Sequence, residues 1–157
     1  MRASVFAIYS VVLGLLLSAP RIVVCQDSNA GSKLQVNLNY SGTGTVDEKH
    51  KIYVVLWDSP DFVKSEMRPF AVQPASSKNG VVKFEDVKKM PVYVSAAYDP
   101  SGQWNAQSPP PDGSSLGLYS KNPGQPEPVD FKPGKTITIE LAFDDSVKMK
   151  GGKATRQ

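Results

Sequence analysis

GVVKFEDVKKMPVYVSAAYDPSGQW, residues 80–104, is the stretch from which the fold is read. Two apolar-rich runs, 81–87 and 92–98, are separated only by Lys88-Lys89-Met90-Pro91, and the second empties into Asp99-Pro100-Ser101-Gly102. Proline presets its own φ, glycine reaches left-handed backbone without steric cost, and aspartate accepts from backbone N–H groups just ahead of it, so this tetrapeptide predicts a turn. The runs themselves are strand-like. Together they predict a hairpin at the centre of a β domain, followed by a loop held out from it.

Working outward, Leu34, Val36, Leu38 and Tyr40 alternate with Gln35, Asn37 and Asn39, a period of two that puts every apolar side chain on one face of a strand. In 51–57, Ile52, Val54 and Leu56 face one way and Tyr53, Val55 and Trp57 the other, so this strand is expected inside a sheet, with Trp57 in the core. Residues 67–72 carry Pro69 and are expected at an edge, because proline has no N–H for an interior ladder. Downstream, Pro109-Pro110-Pro111 stiffens the loop 103–113. A brief strand is expected over 116–119. The cleanest pattern is 135–143, where Ile137, Ile139, Leu141 and Phe143 point inward and Thr136, Thr138 and Glu140 outward. Twelve glycines and thirteen prolines separate the runs. Such punctuation favours short strands over helices, and the expected fold class is all-β: an antiparallel sandwich of seven to eight strands.

The ends carry address rather than fold. Met1-Arg2-Ala3-Ser4 is a short positive start, and 5–17 is apolar apart from Ser10 and Gly14, which fits a signal peptide and is too short to span a bilayer. The chain is therefore read as exported, to a periplasm or the extracellular space. Cleavage after Ala19 competes with cleavage after Cys25, and the second is preferred because the first leaves Pro20 next. Cys25, the only cysteine, is also a candidate for lipidation, although Val24 before it is bulkier than the small residue such sites favour. The domain division is 1–25 signal peptide, 26–32 linker, 33–145 sandwich and 146–157 basic flexible tail.

Without Arg2 and Arg21 the chain has sixteen basic against fifteen acidic residues. Four of the basic ones, Lys148, Lys150, Lys153 and Arg156, lie beyond Asp145, which leaves twelve against fifteen before it. The basicity belongs to the tail, so a nucleic-acid footprint is not supported. Contact with a membrane is expected only through a lipid on Cys25 or through this tail.

The phrase Gly80-Val81-Val82-Lys83-Phe84-Glu85-Asp86-Val87, then Pro91-Val92-Tyr93-Val94-Ser95-Ala96, and later Pro133-Gly134-Lys135-Thr136-Ile137-Thr138-Ile139, resembles the prealbumin-like domains of the carboxypeptidase-regulatory and CnaB type. The resemblance spans most of 34–143. It implies an Ig-like or prealbumin-like sandwich acting as an exported accessory or binding module, with a protein or carbohydrate of the envelope as partner. The glycine usual before the tyrosine is replaced here by Pro91-Val92.

Catalytic patterns are sparse. Gly113-Ser114-Ser115-Leu116-Gly117 matches G-x-S-x-G, but it follows three prolines rather than a buried strand, and the only histidine is His50, upstream. One histidine does not supply the pair that the iron site of a sandwich dioxygenase needs. No catalytic residue is assigned. If strands alternate up and down, Asp47, Glu48, His50, Asp99, Asp112, Asp144 and Asp145 share one rim, and Asp99, Asp144 and Asp145 become candidate calcium ligands. Asp99-Pro100-Ser101-Gly102-Gln103 lacks the acidic third and fifth positions and the closing glutamate of a calcium loop, so an Asp-capped turn is the favoured account. The leading candidate contact surface is Tyr98, Asp99, Trp104 and His50, with Trp104 as a stacking platform on a proline-stiffened loop. No cofactor is expected unless calcium occupies the rim; the alternative reading is a calcium-dependent accessory protein or a small enzyme using that rim.

Overall fold

The computed structural model describes residues 31–63, 68–132 and 134–156. The signal peptide, Cys25 and residues 26–30 of the expected linker lie outside the described residues. Ten strands follow in order: β1 Ser32–Tyr40, β2 Ile52–Trp57, β3 Ala71–Ala75, β4 Val81–Val87, β5 Val92–Tyr98, β6 Ser115–Leu118, β7 Pro128–Val129, β8 Thr136–Phe143, β9 Val147–Lys150 and β10 Lys153–Arg156. A 3₁₀ turn, Pro60–Val63, follows β2. The strands form two sheets: β4-β1-β8, and β10-β9-β6-β5-β2-β3 with β7 paired to β5. The all-β sandwich is the fold, with ten strands among the described residues where seven to eight were expected.

The period-two patterns explain the core. Leu34, Val36, Leu38 and Tyr40 of β1 are buried with Ile139, Leu141 and Phe143 of β8 and Val82 and Phe84 of β4. They meet Ile52, Val54 and Leu56 of β2 and Val92, Val94, Ala96 and Tyr98 of β5 from the other sheet. Fully burying one such aliphatic side chain contributes about 2 kcal/mol, which makes this two-sided layer the main stabilising element.

The centre of the sequence folds differently from the expected hairpin. β4 and β5 do not pair: β4 joins β1, with Gln35 opposite Lys83 and Val36 opposite Val82, while β5 lies between β2 and β6. Lys88, Lys89, Met90 and Pro91 are exposed and carry the chain from one sheet to the other. Both runs still bury one face, because facing sheets share a core just as paired strands share a sheet face. Burial periodicity is the same in the two cases. A bulge adjusts the end of β4: Ser32 opposes Val87 while Leu34 opposes Phe84, so three steps on β4 match two on β1. Asp86 takes φ 55° there, and the extra residue returns Val87 to the core side.

Four other expectations are corrected. The sandwich is not wholly antiparallel, since β1 and β8 run parallel from Lys33 opposite Thr136 to Tyr40 opposite Phe143. They lie far apart in sequence, so no tight turn dictates their relative direction. The edge strand is Ala71–Ala75, displaced from 67–72, and its proline is Pro74. Trp57 is half-buried outside the core, stacked on Phe62 at 4.7 Å with its indole N–H donating to Ser95 Oγ at 2.8 Å. The segment expected as a flexible tail is a hairpin, with Lys150 opposite Lys153 across Gly151-Gly152. Both glycines take positive φ, 57° and 73°, as a two-residue turn matched to strand twist requires.

Candidate functional site

The sandwich end that carries the 41–50, 99–113 and 144–146 segments gathers most of the expected rim. Its organiser is Asp145. Oδ1 accepts from the Tyr40 hydroxyl at 2.6 Å and from Ser115 Oγ at 2.7 Å. Oδ2 accepts from the Thr43 backbone N–H and hydroxyl, both at 2.9 Å. Burial alone pushes this carboxyl up, but the hydrogen bonds from Tyr40, Ser115 and Thr43 outweigh it and hold the group well below the usual carboxylate range. The same contact acts in reverse on Tyr40, which burial first and the Asp145 carboxylate second push up to about 12. Gly42 packs against both groups, and a Cβ there would overlap the Tyr40 hydroxyl and Asp145 Oδ1.

Asp99, 4 % exposed, closes the next turn. It accepts from Ser101 N–H at 2.9 Å, Ser101 Oγ at 2.6 Å, Gln103 N–H at 3.1 Å and Trp104 N–H at 3.0 Å. Burial raises its pKa, and these donors more than reverse that, so the carboxyl is held below its ordinary value. The Asp47 carboxylate accepts from the backbone N–H groups of Lys49 and His50 and lies 2.9 Å from His50 Nδ1. Tyr98 sits among Asp47, Asp145 and Asp99; burial and then these three charges push its hydroxyl up, and that hydroxyl donates to Thr45 O at 2.9 Å.

Each candidate therefore has a definite place. Tyr98 and Asp99 are buried parts of the scaffold, His50 is half-buried and paired with Asp47, and Trp104 is half-buried. Asp112 accepts from Gly151 N–H at 3.0 Å and so joins the 99–113 loop to the β9–β10 hairpin. Asp144 accepts from Ser146 N–H at 2.8 Å.

The carboxylates do not form a cation cage. Among the described residues no three of His, Cys, Asp and Glu come together as ligands. The oxygens of Asp99 and Asp145 already accept N–H and O–H donors, which a cation would have to displace. The melting midpoint is expected to be the same in millimolar calcium and in chelator, within the precision of a thermal melt. A rise with calcium would restore the metal reading of Asp99, Asp144 and Asp145.

Ser115 of the G-x-S-x-G pattern begins β6, and its hydroxyl donates to Asp145 rather than to an imidazole. That carboxylate also accepts from the Tyr40 hydroxyl and from both Thr43 donors. Ser114 beside it is fully buried, and its hydroxyl has no partner among the described residues.

Trp104 has a partner that sequence reasoning missed. Its ring meets Tyr53 edge-on at 5.1 Å and 76°, and its indole N–H donates to Ser108 O at 2.8 Å. Tyr53 lies opposite Ala97, and Trp57 opposite Tyr93, on the outward face of the larger sheet. The signal was present in 51–57, whose second apolar face was read as interior. It is instead an outer face, partly covered by Phe62 at one end and by Trp104 at the other. The Thr43, Tyr40 and Ser115 contacts to Asp145 had no comparable signal, since they join residues up to 105 positions apart.

Among the described residues no helix is long and apolar enough to cross a membrane. No family model matches the chain, and no curated protein or solved structure matches it.

Proposed function

We propose that this chain is an exported, non-catalytic binding module of the cell envelope or extracellular space, of the prealbumin-like kind, whose contact surface is Trp104 with Tyr53 at the 99–113 loop. The observation that carries this reading is the Asp99 clamp. A buried carboxylate fixes Ser101, Gln103 and Trp104 through their own N–H groups, so the indole is held in place before any partner arrives. Prefixing an aromatic side chain removes part of the ordering cost of binding. The non-catalytic part is supported by the separate engagement of the two groups, His50 with Asp47 and Ser115 with an Asp145 carboxylate that three other donors already occupy. Export is supported by the composition of residues 1–25.

An aromatic face with polar neighbours such as Asn105 and Gln107 suits the stacking of a sugar ring. Neutral soluble hexasaccharides are the first probe, followed by tryptophan fluorescence, which only Trp57 and Trp104 contribute. Trp104→Ala is expected to weaken binding by at least about tenfold, as loss of a central aromatic anchor does, while shifting the melting midpoint little. Equal affinity of the variant and the parent would remove Trp104 from the site and end this reading.

A further inference from the structure

We propose that the β9–β10 hairpin is a second docking element, formed by residues other than those of the aromatic surface, and that it takes a linear anionic polysaccharide. Lys148 lies opposite Thr155, and Lys150 opposite Lys153. Directly opposed residues of an antiparallel pair project to the same side, and residues two apart on one strand do so as well. Lys148, Lys150 and Lys153 therefore share one face of the ribbon, with Met149 and Ala154 on the other. Lys150 and Lys153 are exposed, and Lys148 is half-buried.

These cations are uncompensated. Lys33, Lys51, Lys88, Lys89 and Lys121 of the body each hold a carboxylate within salt-bridge distance. Among the described residues Lys148, Lys150, Lys153 and Arg156 hold none. The nearest acid to the turn, Asp112, accepts from the Gly151 backbone N–H. The pairing of Lys150 with Lys153 is itself unfavourable, because like charges directly opposite repel. Lys49, Lys78, Lys83, Lys132 and Lys135 of the body also hold no carboxylate among the described residues, but only in this hairpin does the strand pairing set two lysines opposite each other.

The hairpin is held in position. Gly113 N–H donates to Met149 O at 2.8 Å, Met149 N–H donates to Ser114 O at 2.9 Å, and Ser115 opposes Lys148 in the larger sheet. The three lysines are thus presented as a fixed cluster, Lys148 and Lys150 about 7 Å apart along one strand and Lys153 about 5 Å across from Lys150. A cluster of ammonium groups at this spacing complements the closely spaced charges repeated along an anionic polymer. The hairpin offers a bilayer no apolar tip, since its turn is Gly151-Gly152. It has no aromatic side chain among its lysines on which a base would stack.

The test uses the purified protein and a heparin octasaccharide, with phosphatidylserine vesicles and single-stranded DNA as the competing polyanions. Binding to heparin is expected, with affinity falling with salt at a log–log slope of about −3, one counterion released per lysine engaged. The triple variant Lys148→Gln/Lys150→Gln/Lys153→Gln is expected to bind at least tenfold more weakly. The control Lys33→Gln/Lys88→Gln/Lys121→Gln removes the same charge and is expected to bind as the parent does. Lys153→Glu places a carboxylate opposite Lys150 and is expected to lose binding without lowering the melting midpoint, which separates docking from folding. Equal losses in both triple variants would reduce the effect to net charge and overturn the proposal. Absence of heparin binding at low salt, or hairpin-dependent binding to vesicles or DNA alone, would overturn it too. Trp104→Ala leaves this binding unchanged, so the outcome is distinct from that of the aromatic surface.

Discussion

Asp145→Ala is expected to lower the melting midpoint by about 10 °C, the equivalent of about 3 kcal/mol in a domain of this size. The substitution removes the common acceptor of four donors. Tyr40 and Ser115 are each 2 % exposed, so their hydroxyls lose a partner where water reaches poorly, at about 1–3 kcal/mol for each donor left unpaired. The two Thr43 donors are exposed and turn to solvent at little cost. Asp145→Asn separates these contributions. Tyr40 and Ser115 both use Oδ1, which a carboxamide oxygen replaces, so the asparagine variant is expected to lose less than half as much. Equal losses for the two variants would show that charge, not the buried acceptor, stabilises this end.

The same site sets acid sensitivity. The folded Asp145 carboxyl titrates below its unfolded value, so the unfolded chain takes up a proton first as pH falls. The stabilisation is complete above the ordinary aspartate value of about 3.9 and is lost as pH drops through the folded value. Asp99 acts with the same sign. The parent should therefore lose stability steeply below about pH 4, and Asp145→Ala more gradually. Parallel curves, measured by denaturant midpoints between pH 2 and pH 6, would remove Asp145 from the acid response.

Asp99→Ala is the second large effect, with an expected loss of about 2–3 kcal/mol. Three backbone N–H groups and one hydroxyl lose their acceptor together. Here the consequence extends to the contact surface. With the clamp gone, residues 101–104 no longer hold Trp104 against Tyr53, and acrylamide quenching of tryptophan fluorescence should rise along with the fall in midpoint. A lowered midpoint with unchanged quenching would mean that Tyr53 and the Ser108 carbonyl place the ring without the carboxylate.

What sequence alone yields here follows from the range of the interactions involved. The inward faces of 34–40, 52–56 and 136–143 are local patterns, and the buried residues are the alternating ones, with Val55 on the outer face of its strand buried as well. The Asp99 turn is equally local, since all its donors lie within five positions. Strand pairing is not local. The 81–87 and 92–98 runs read as a hairpin because burial periodicity does not distinguish a partner beside a strand from one facing it. The Asp145 acceptor site escaped for the same reason, since its donors come from β1, the loop after it and β6. The hairpin at 147–156 was masked by its own composition: lysines and paired glycines read as solvated chain, although Gly-Gly between two short runs is also a tight-turn signal.

The parallel pairing of β1 with β8 gives this domain a mechanical character. Chain preceding Ser32 leaves one end of the pair, and chain following Phe143 leaves the opposite end. Tension applied through the two flanking segments acts along both strands in opposite senses. It therefore shears the ladder, loading the bonds between Lys33–Tyr40 and Thr136–Phe143 simultaneously rather than peeling them one after another. A module held at its N-terminal side and gripped through β9–β10 would pull on its partner through its most resistant direction.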